Sequence, residues 1–478
     1  MNKRKVLDVL SIFAVITVCI CIVCIGCSRV DEVKYNFPDT AEGYWYAPGY
    51  GAIIEIVNNR ANYYEETEVS LLKCSLSLFD LPGFYFTMDG EDRARVGVKN
   101  TSWNYELRRM ESLPSDKLYT SQTDDYSINF EVLWHTFDEL YAFFEERGVY
   151  WEDIYQTYSL KAAKCTTDEA FYQLITEMLD VFNDNHIMLY TSSKDSGWHD
   201  DDAVDIDWFS MKDVENTLNE ILKSNKLFYF PQKTAGEIFE EGLWGKYTSV
   251  IKAKYLSGEF SSCCNDIIFY GKIDENTGYI CVLKEDYLTG NHGDFPNDGL
   301  ALLNMELDTI AQYFDGMDKM IIDTRFNWGG TDSYSLAIAS RFAKADDLAF
   351  YQEVHFEGEA VNNQEFHYNT TGVVPFNAEK IYVLSSRLTL SAGECLVMYL
   401  GNLDNIFVIG ERTMGVWSNT LIRTLPNGWQ FTLSNETVYD PQGICYEAKG
   451  YPPDIETPFS ESRFSEGIDS ILEEAISK

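Results

Sequence analysis

Two short stretches hold the residue types that perform acyl transfer. Ser386-Arg387-Leu388-Thr389-Leu390-Ser391-Ala392-Gly393-Glu394 follows the apolar run Ile381–Leu384 and precedes a helical pattern with Leu396, Met398 and Tyr399. A serine at a strand-to-helix junction has an accessible hydroxyl. The backbone N–H of Ala392 points into the same space, and a helix N-terminus favours negative charge developing there. Asp323-Thr324-Arg325-Phe326-Asn327-Trp328-Gly329-Gly330 follows the buried-strand pattern Lys319–Asp323. Its paired glycines let backbone N–H groups approach a ligand closely. Each stretch also has a plain structural reading. Ser391-x-x-Glu394 is a helix capping box, and Gly329-Gly330 suits a tight turn.

Both loops leave the carboxyl ends of apolar strands, where open α/β sheets place their ligands. From Gly278 the pattern alternates strand and helix: a strand at Gly278–Leu283, a helix around Leu300–Tyr313, a strand at Lys319–Asp323 and a helix at Ser333–Phe342. A strand at Ile381–Leu384, the helix after Ser391 and a strand at Ile406–Gly410 continue it. This predicts an α/β fold with a partly parallel sheet. Leu425-Pro426-Asn427-Gly428-Trp429 reads as a hairpin turn. The C-terminal apolar positions Ile468, Ile471, Leu472 and Ile476 predict a helix packed on the core.

Upstream, Phe130, Leu133, Trp134, Phe137, Leu140, Tyr141 and Phe144 form one face of a helix that Gly148 is expected to end. A second helix is signalled by the capping box Thr166-x-x-Glu169 and by Phe171, Leu174, Ile175, Met178, Leu179 and Phe182. It stops at Asn183-Asp184-Asn185-His186, and Ile187–Tyr190 reads as a strand, so His186 sits at a helix-to-strand turn. Before this segment, Ala52–Val57 and Gly83–Met88 read as strands of a small β domain.

The chain of 478 residues carries a formal net charge of −39, from 37 Lys and Arg against 76 Asp and Glu. Such an acidic surface repels phosphate backbones and argues against nucleic acid as a partner. With 31 Tyr, 29 Phe and 10 Trp, the chain has ample core material. The seven Cys beyond residue 27 have no Cys-x-x-Cys pair, and no zinc site can be argued. His135 lies in the first amphipathic helix and reads as structural. His199, His292, His355 and His367 lack a Cys, or a His at ligand spacing, nearby. The cluster Asp200, Asp201, Asp202, Asp205 and Asp207 lacks the Gly and terminal Glu of a calcium loop and reads as solvated. No metal and no cofactor is expected.

At the N-terminus, Lys3, Arg4 and Lys5 precede an uncharged run from Val9 to Gly26, followed by Cys27. A basic start, an apolar stretch and small residues before the cut describe a secretory signal. Ile25-Gly26-Cys27 resembles a bacterial lipobox, in which the Cys becomes the acylated first residue of the mature chain. The alternative is an uncleaved membrane anchor, since about 18 apolar residues just reach a spanning length. Either reading places the rest of the chain outside the cytoplasm, attached to the cell envelope and facing outward.

Several of these segments together resemble the tail-specific and tricorn-type serine peptidases, the carboxyl-terminal processing group of family S41. Asp323–Gly330 is similar to the group's Asp-x-Arg-x-Asn-x-Gly-Gly segment, and Thr389–Glu394 to its nucleophile loop. Val408–Gly415 resembles the stretch after the nucleophile helix, Tyr446–Ile455 the closing Gly-x-x-Pro-Asp-Ile motif, and Asp184-Asn185-His186 the Asp-Gly-His of the N-terminal helical part. The resemblance runs from about Phe130 to Thr457 with a gap in the middle. It implies a ClpP/crotonase-like α/β core at 271–478. A helical segment at 116–190, a variable insert at 191–270, a small β-rich domain at 28–115 and a lipoprotein signal at 1–27 complete the expected organisation.

One catalytic design of this group uses a Ser–Lys dyad, with the Lys just after Thr-x-Gly. Here Thr413-Met414-Gly415 is followed by Val416, so that Lys is missing. The tricorn-like design uses a His from the helical part and a Glu just before the Gly-x-x-Pro-Asp motif. His186 and Glu447 stand at those places. The resemblance then implies Ser391 as nucleophile, His186 as base and Glu447 as its orienting partner. The N–H groups of Ala392 and of Gly330 or Gly329 would bind the oxyanion. Asn185 stands where the tricorn-like design has a linking Ser, leaving open whether it bridges Glu447 to His186. A His base predicts activity rising through a pKa of about 6–7. The function implied is an exported peptidase acting on peptide or protein substrates. An esterase using the same residues and a binding protein on the same fold are the alternatives. No PDZ-like Gly-Leu-Gly-Phe loop is present in residues 191–270 to capture carboxyl ends, and nothing in the sequence indicates an oligomeric state.

Overall fold

The computed structural model describes residues 37–74, 83–191, 244–286, 288–289, 296–344, 346–356 and 359–478. Cys27 and its apolar leader, the acidic cluster at 200–207 and most of the 191–270 insert lie outside the described residues. Among those described, no helix is long and apolar enough to cross a membrane.

The first unit is an antiparallel sheet of seven strands, β1 (Gly43–Ala47), β2 (Ala52–Val57), β3 (Arg60–Glu66), β4 (Leu71–Cys74), β5 (Phe84–Met88), β6 (Arg93–Val98) and β7 (Asn104–Met110). Their order is β4-β3-β2-β1-β7-β6-β5. Trp45, Ile54, Ile56, Val96 and Leu107 share one core with the helical segment that follows, so this sheet packs on the helices.

That segment holds α1 (Tyr126–Leu140), α2 (Trp151–Ala162) and α3 (Asp168–Leu179). Helix α1 does not run to Gly148 as its apolar spacing predicts. It ends at Leu140, because Tyr141 turns to an extended conformation and donates its hydroxyl to Asp184 Oδ2 at 2.9 Å. The cap of α3 is Thr167, whose side chain accepts from Ala170 N; Thr166 lies one residue outside. Helix α2 has no counterpart in the sequence reading. Its apolar face buries Trp151, Tyr158 and Ala162 and packs Ile154 and Tyr155 against the same core.

After α3 the chain turns through Asn183, at φ 48°, into the short strand β8 (Leu189–Tyr190). Past the insert, α4 (Trp244–Val250) precedes the strands β9 (Phe260–Cys263), β10 (Ile268–Lys272) and β11 (Thr277–Val282). Helix α5 (Pro296–Tyr313), strand β12 (Lys319–Asp323) and helix α6 (Asp332–Ala339) follow. Next come β13 (Leu348–Phe356), β14 (Glu359–Ala360), β15 (Gln364–His367), β16 (Lys380–Ser385), α7 (Ala392–Gly401) and β17 (Ile406–Gly410). The chain closes with β18 (Thr420–Thr424), β19 (Gln430–Ser434), β20 (Glu436–Tyr439), β21 (Ile455–Glu456) and two helices, α8 (Glu461–Ser465) and α9 (Ser470–Ser477).

The central sheet has the order β21-β17-β16-β12-β11-β10-β9. Strands β11, β12, β16, β17 and β21 run parallel, and β10 and β9 extend the sheet antiparallel. Two of these strands thus begin inside the stretch read as the insert. Alternate residues serve opposite faces. Met320, Ile322, Ile381, Val383 and Val408 join the core under α5, α6 and α7. Ile321, Tyr382, Leu384 and Ile409 join a second core with Ile471, Leu472 and Ala475 of α9. Burial on both faces is why these strands read as unbroken apolar runs rather than alternating ones.

Candidate active site

The loops after β12 and β16 lie side by side at the carboxyl ends of their strands. Leu390 N donates to Asn327 O at 3.0 Å, and Thr324 N donates to Leu384 O at 3.0 Å. The motif that opens on Asp323 divides its labour. Arg325 is buried and turned inward, donating to Asp323 Oδ1 and Oδ2 at 2.9 and 2.6 Å and to Asp469 Oδ1 at 2.7 Å. It therefore ties the loop to the start of α9. Asn327 holds the turn itself, because its Oδ1 accepts from Gly329 N at 2.8 Å and its Nδ2 donates to Glu285 Oε1 at 2.7 Å.

Ser391 stands at the N-terminus of α7 with φ 56° and ψ −129°. An ordinary cap residue is in the extended region; a non-glycine residue held here costs about 1–3 kcal/mol and persists only where the surroundings enforce it. Those surroundings are the loop after Thr413. Ser391 N donates to Val416 O at 3.1 Å. Glu394 accepts from Gly415 N and Val416 N at 2.7 and 2.8 Å and from Ser391 N at 3.3 Å. The Glu of the sequence-level capping box thus also staples a second loop to the serine. Burial pushes its carboxyl up to about 8, against Thr413 and the N–H groups of Val416 and Gly415.

His186 reaches Ser391 from the helical segment, with Nε2 3.2 Å from Oγ across 205 residues of sequence. Three contacts fix its turn: Asp184 Oδ1 accepts from His186 N at 2.9 Å, Thr432 Oγ1 donates to His186 O at 2.6 Å, and Met188 N donates to Thr432 Oγ1 at 3.0 Å. Strand β19 also pairs with β8, and Phe431 stacks on Phe137 of α1 at 5.7 Å. The hairpin after α7 is therefore the arm that brings the histidine to the serine. Burial lowers the imidazole pKa to about 4; Asp184 acts upward, Arg147 downward and the Ser418 backbone upward. The value of about 6–7 expected from sequence is corrected by this burial, which disfavours the charged ring.

Glu447 is buried but makes no hydrogen bond to His186. Its Oε2 accepts from Trp417 N and Ser418 N at 2.7 and 3.2 Å, and its Oε1 accepts from Arg147 Nη2 at 2.5 Å. His186 Nδ1 is buried with no hydrogen-bond partner among the described residues, so no hydrogen bond carries Glu447 to the imidazole. Burial and Asp184 push the Glu447 carboxyl up, while Arg147 and the Trp417 N–H pull it down. With an arginine and two N–H groups on its oxygens, the carboxylate form is the one these partners hold. Asn185 is not a bridge: its Nδ2 faces Met414 Sδ at 2.9 Å. The residue missed in the sequence is Arg147, which follows α1 and lies 5% exposed against Asp184 and Glu447. Two acidic residues in motifs expected at one buried centre were the signal that a cation must join them.

Of the expected oxyanion donors, Gly329 is corrected, because its N–H is already given to Asn327. Its importance is steric: a Cβ there would sit 2.7 Å from both Ala392 N and Ser391 Cβ. Among the described residues, the N–H groups of Ala392 and Gly330 have no backbone acceptor. Gly330 is held beside Glu285, whose N donates to Gly329 O at 2.9 Å and whose O accepts from Thr331 N at 2.8 Å.

Residues 295–457 match Peptidase family S41, and residues 123–180 match the Tricorn protease C1 domain. The chain carries a peptidase family S41 domain. It is accordingly a serine-type hydrolase with peptidase function. A protein of Parabacteroides merdae described as a peptidase shares the fold, with 22% identity and a TM-score of 0.56 over 74% of this chain and 96% of that one. A lipoprotein of Streptococcus agalactiae aligns at 14% identity and a TM-score of 0.44, over 74% of this chain and 96% of that one. Mature CPAF complexed with lactacystin aligns at 14% identity and a TM-score of 0.49, over 74% of this chain and 97% of that one. No curated protein matches the chain.

Glu68, His135 and Glu139 bring possible ligand atoms within 4.8 Å of one another. Glu139 already accepts from Glu68 N at 2.7 Å, and the group has no connection to the serine in the contacts of either side.

Proposed function

We propose that this S41 domain hydrolyses peptide bonds with Ser391 as nucleophile and His186 as general base. The 3.2 Å separation of His186 Nε2 from Ser391 Oγ carries the reading. His186 takes the hydroxyl proton as Oγ attacks the scissile carbonyl, then returns it to the leaving amine. Burial keeps the ring neutral at physiological pH, so the base is ready before substrate arrives. The Ala392 and Gly330 N–H groups receive the oxyanion, and each such donor is worth about 10²–10³ in rate. Glu447 holds the Trp417 and Ser418 amides and Arg147 rather than the imidazole, so its contribution is positional. Val416 at the position of the group's dyad Lys leaves no amine there, consistent with a His base.

The apolar leader ending in Ile25-Gly26-Cys27 supports a lipid-anchored protein outside the cytoplasm, acting on envelope or extracellular peptides. A fluorophosphonate probe tests the nucleophile: wild type should be labelled and Ser391→Ala should not. Peptide hydrolysis measured beside ester hydrolysis separates a peptidase from an esterase. Absence of labelling and turnover in a folded wild type would favour a binding protein. Mass spectrometry of the mature N-terminus tests the anchor; an intact Met1 would overturn lipidation at Cys27.

A further inference from the structure

Arg147 joins the three segments that surround His186. Its Nη1 donates to Asn183 O at 2.5 Å, and its Nε lies 3.6 Å from Asp184 Oδ2, both just ahead of the histidine. Its Nη2 donates to Gly415 O at 3.2 Å, in the loop that Glu394 staples to Ser391. The same nitrogen meets Glu447 Oε1 at 2.5 Å, on the carboxylate that holds Trp417 and Ser418. We propose that Arg147 is a positioning residue of the catalytic centre, locking the His186 turn to the loop beside Ser391 and balancing the two carboxylates buried there.

The need for such a cation is electrostatic. The charged and titratable groups around the imidazole are Asp184 from its own turn, Tyr141 on Asp184, Arg147 after α1, Glu447 from the closing loop and, beyond it, Glu394 of α7. Asp184 and Glu447 together would favour a protonated imidazole, which cannot accept the serine proton. Breaking a buried ion pair by removing one partner also leaves an uncompensated charge. A lone guanidinium fork between two carboxylates and two carbonyls answers both demands, and a planar five-donor group suits them better than an ammonium.

The proposal rests on the Ser391–His186 reading, and the test separates the two. Arg147→Lys, Arg147→Gln and the double variant Arg147→Gln with Glu447→Gln are compared with wild type in kcat, KM and the acid limb of kcat/KM against pH. The double variant leaves a neutral pair in place of the ion pair, and serves if Arg147→Gln alone does not fold. In Arg147→Gln the loss of the charge should move the acid limb upward by about one pH unit or more and lower kcat at least tenfold, with KM within about twofold; the double variant, which removes one charge of each sign, should keep the limb nearer wild type while kcat stays at least tenfold down. Arg147→Lys should keep the limb near wild type and recover part of kcat. An unmoved limb in a folded Arg147→Gln, or wild-type kcat in the folded double variant, would overturn the proposal. Wild-type activity that survives Ser391→Ala would instead overturn the reading on which it rests.

Discussion

Acid should destabilise this protein through its buried histidine. His186 is buried with its ring beside Ser391, and burial holds its pKa at about 4 against an ordinary 6.5. Between those values the unfolded chain binds a proton that the folded one does not. The stabilisation is therefore fully present above about pH 6.5 and is lost as the pH falls toward 4. The gap between the two values corresponds to about 3 kcal/mol at 1.36 kcal/mol per pH unit. Wild type and His186→Gln, a neutral replacement, would be unfolded in guanidinium at pH 7.5, 6, 5 and 4. Wild type should lose about 3 kcal/mol more than the variant across that range, with half of it gone near pH 5. In parallel, kcat/KM for a peptide should hold from pH 7.5 to about 5 and fall only as the pH approaches 4, because the neutral imidazole is the base. An acid limb at pH 6–7, with equal pH dependence of stability in the two proteins, would refute the buried neutral base. A limb at 7–8 or above would point instead to an amine.

Ser391→Ala should abolish turnover and probe labelling while leaving the unfolding free energy within about 1 kcal/mol of wild type, since the strained backbone is kept; activity and labelling assays check the first and denaturant melts the second. Gly329→Ala should lower kcat by at least about 10², although Gly329 donates no hydrogen bond to substrate, because its Cβ would displace Ser391 and Ala392; near-normal kcat would show that the loop can give way. Thr432→Val removes the hydroxyl that serves His186 O and Met188 N and should cost about 1–3 kcal/mol in stability, with a larger drop in kcat than in kcat of a Thr420→Val control. Asp469→Asn, at the far end of the Arg325 bridge, should cost about 3–5 kcal/mol without changing the acid limb of activity.

Local order was legible wherever the chemistry is local. The strands Lys319–Asp323 and Ile406–Gly410, the helix after Ser391 and the turn that carries His186 follow from apolar runs, a cap and the residues that end a helix. The spacing of Asp323–Gly330 and Ser386–Glu394 was enough to pair two loops at strand ends. Helix α2 was missed although Trp151, Ile154, Tyr155, Tyr158 and Ala162 recur at helical spacing and pack on the same core as α1; its N-cap Tyr150 makes no side-chain cap bond, so no capping residue marks its start. The early end of α1 was hidden too, because the apolar spacing continues through Tyr141 and Phe144 while a hydroxyl bond to Asp184 redirects the chain.

The residue types alone determined that a serine, a histidine and two acids were available, and that no amine stands at the dyad position. Only the tertiary structure decided how they are joined. Gly329 lost its donor role because Asn327, two residues earlier, takes its N–H. Glu447 met Arg147 and a pair of backbone amides rather than the imidazole, and Asn185 turned to Met414. Those outcomes depend on which groups converge in space when α1, the β18–β19 hairpin and the closing loop pack together. A buried carboxylate must satisfy every lone pair it can, and its partners here come from residues 29 to 300 positions away.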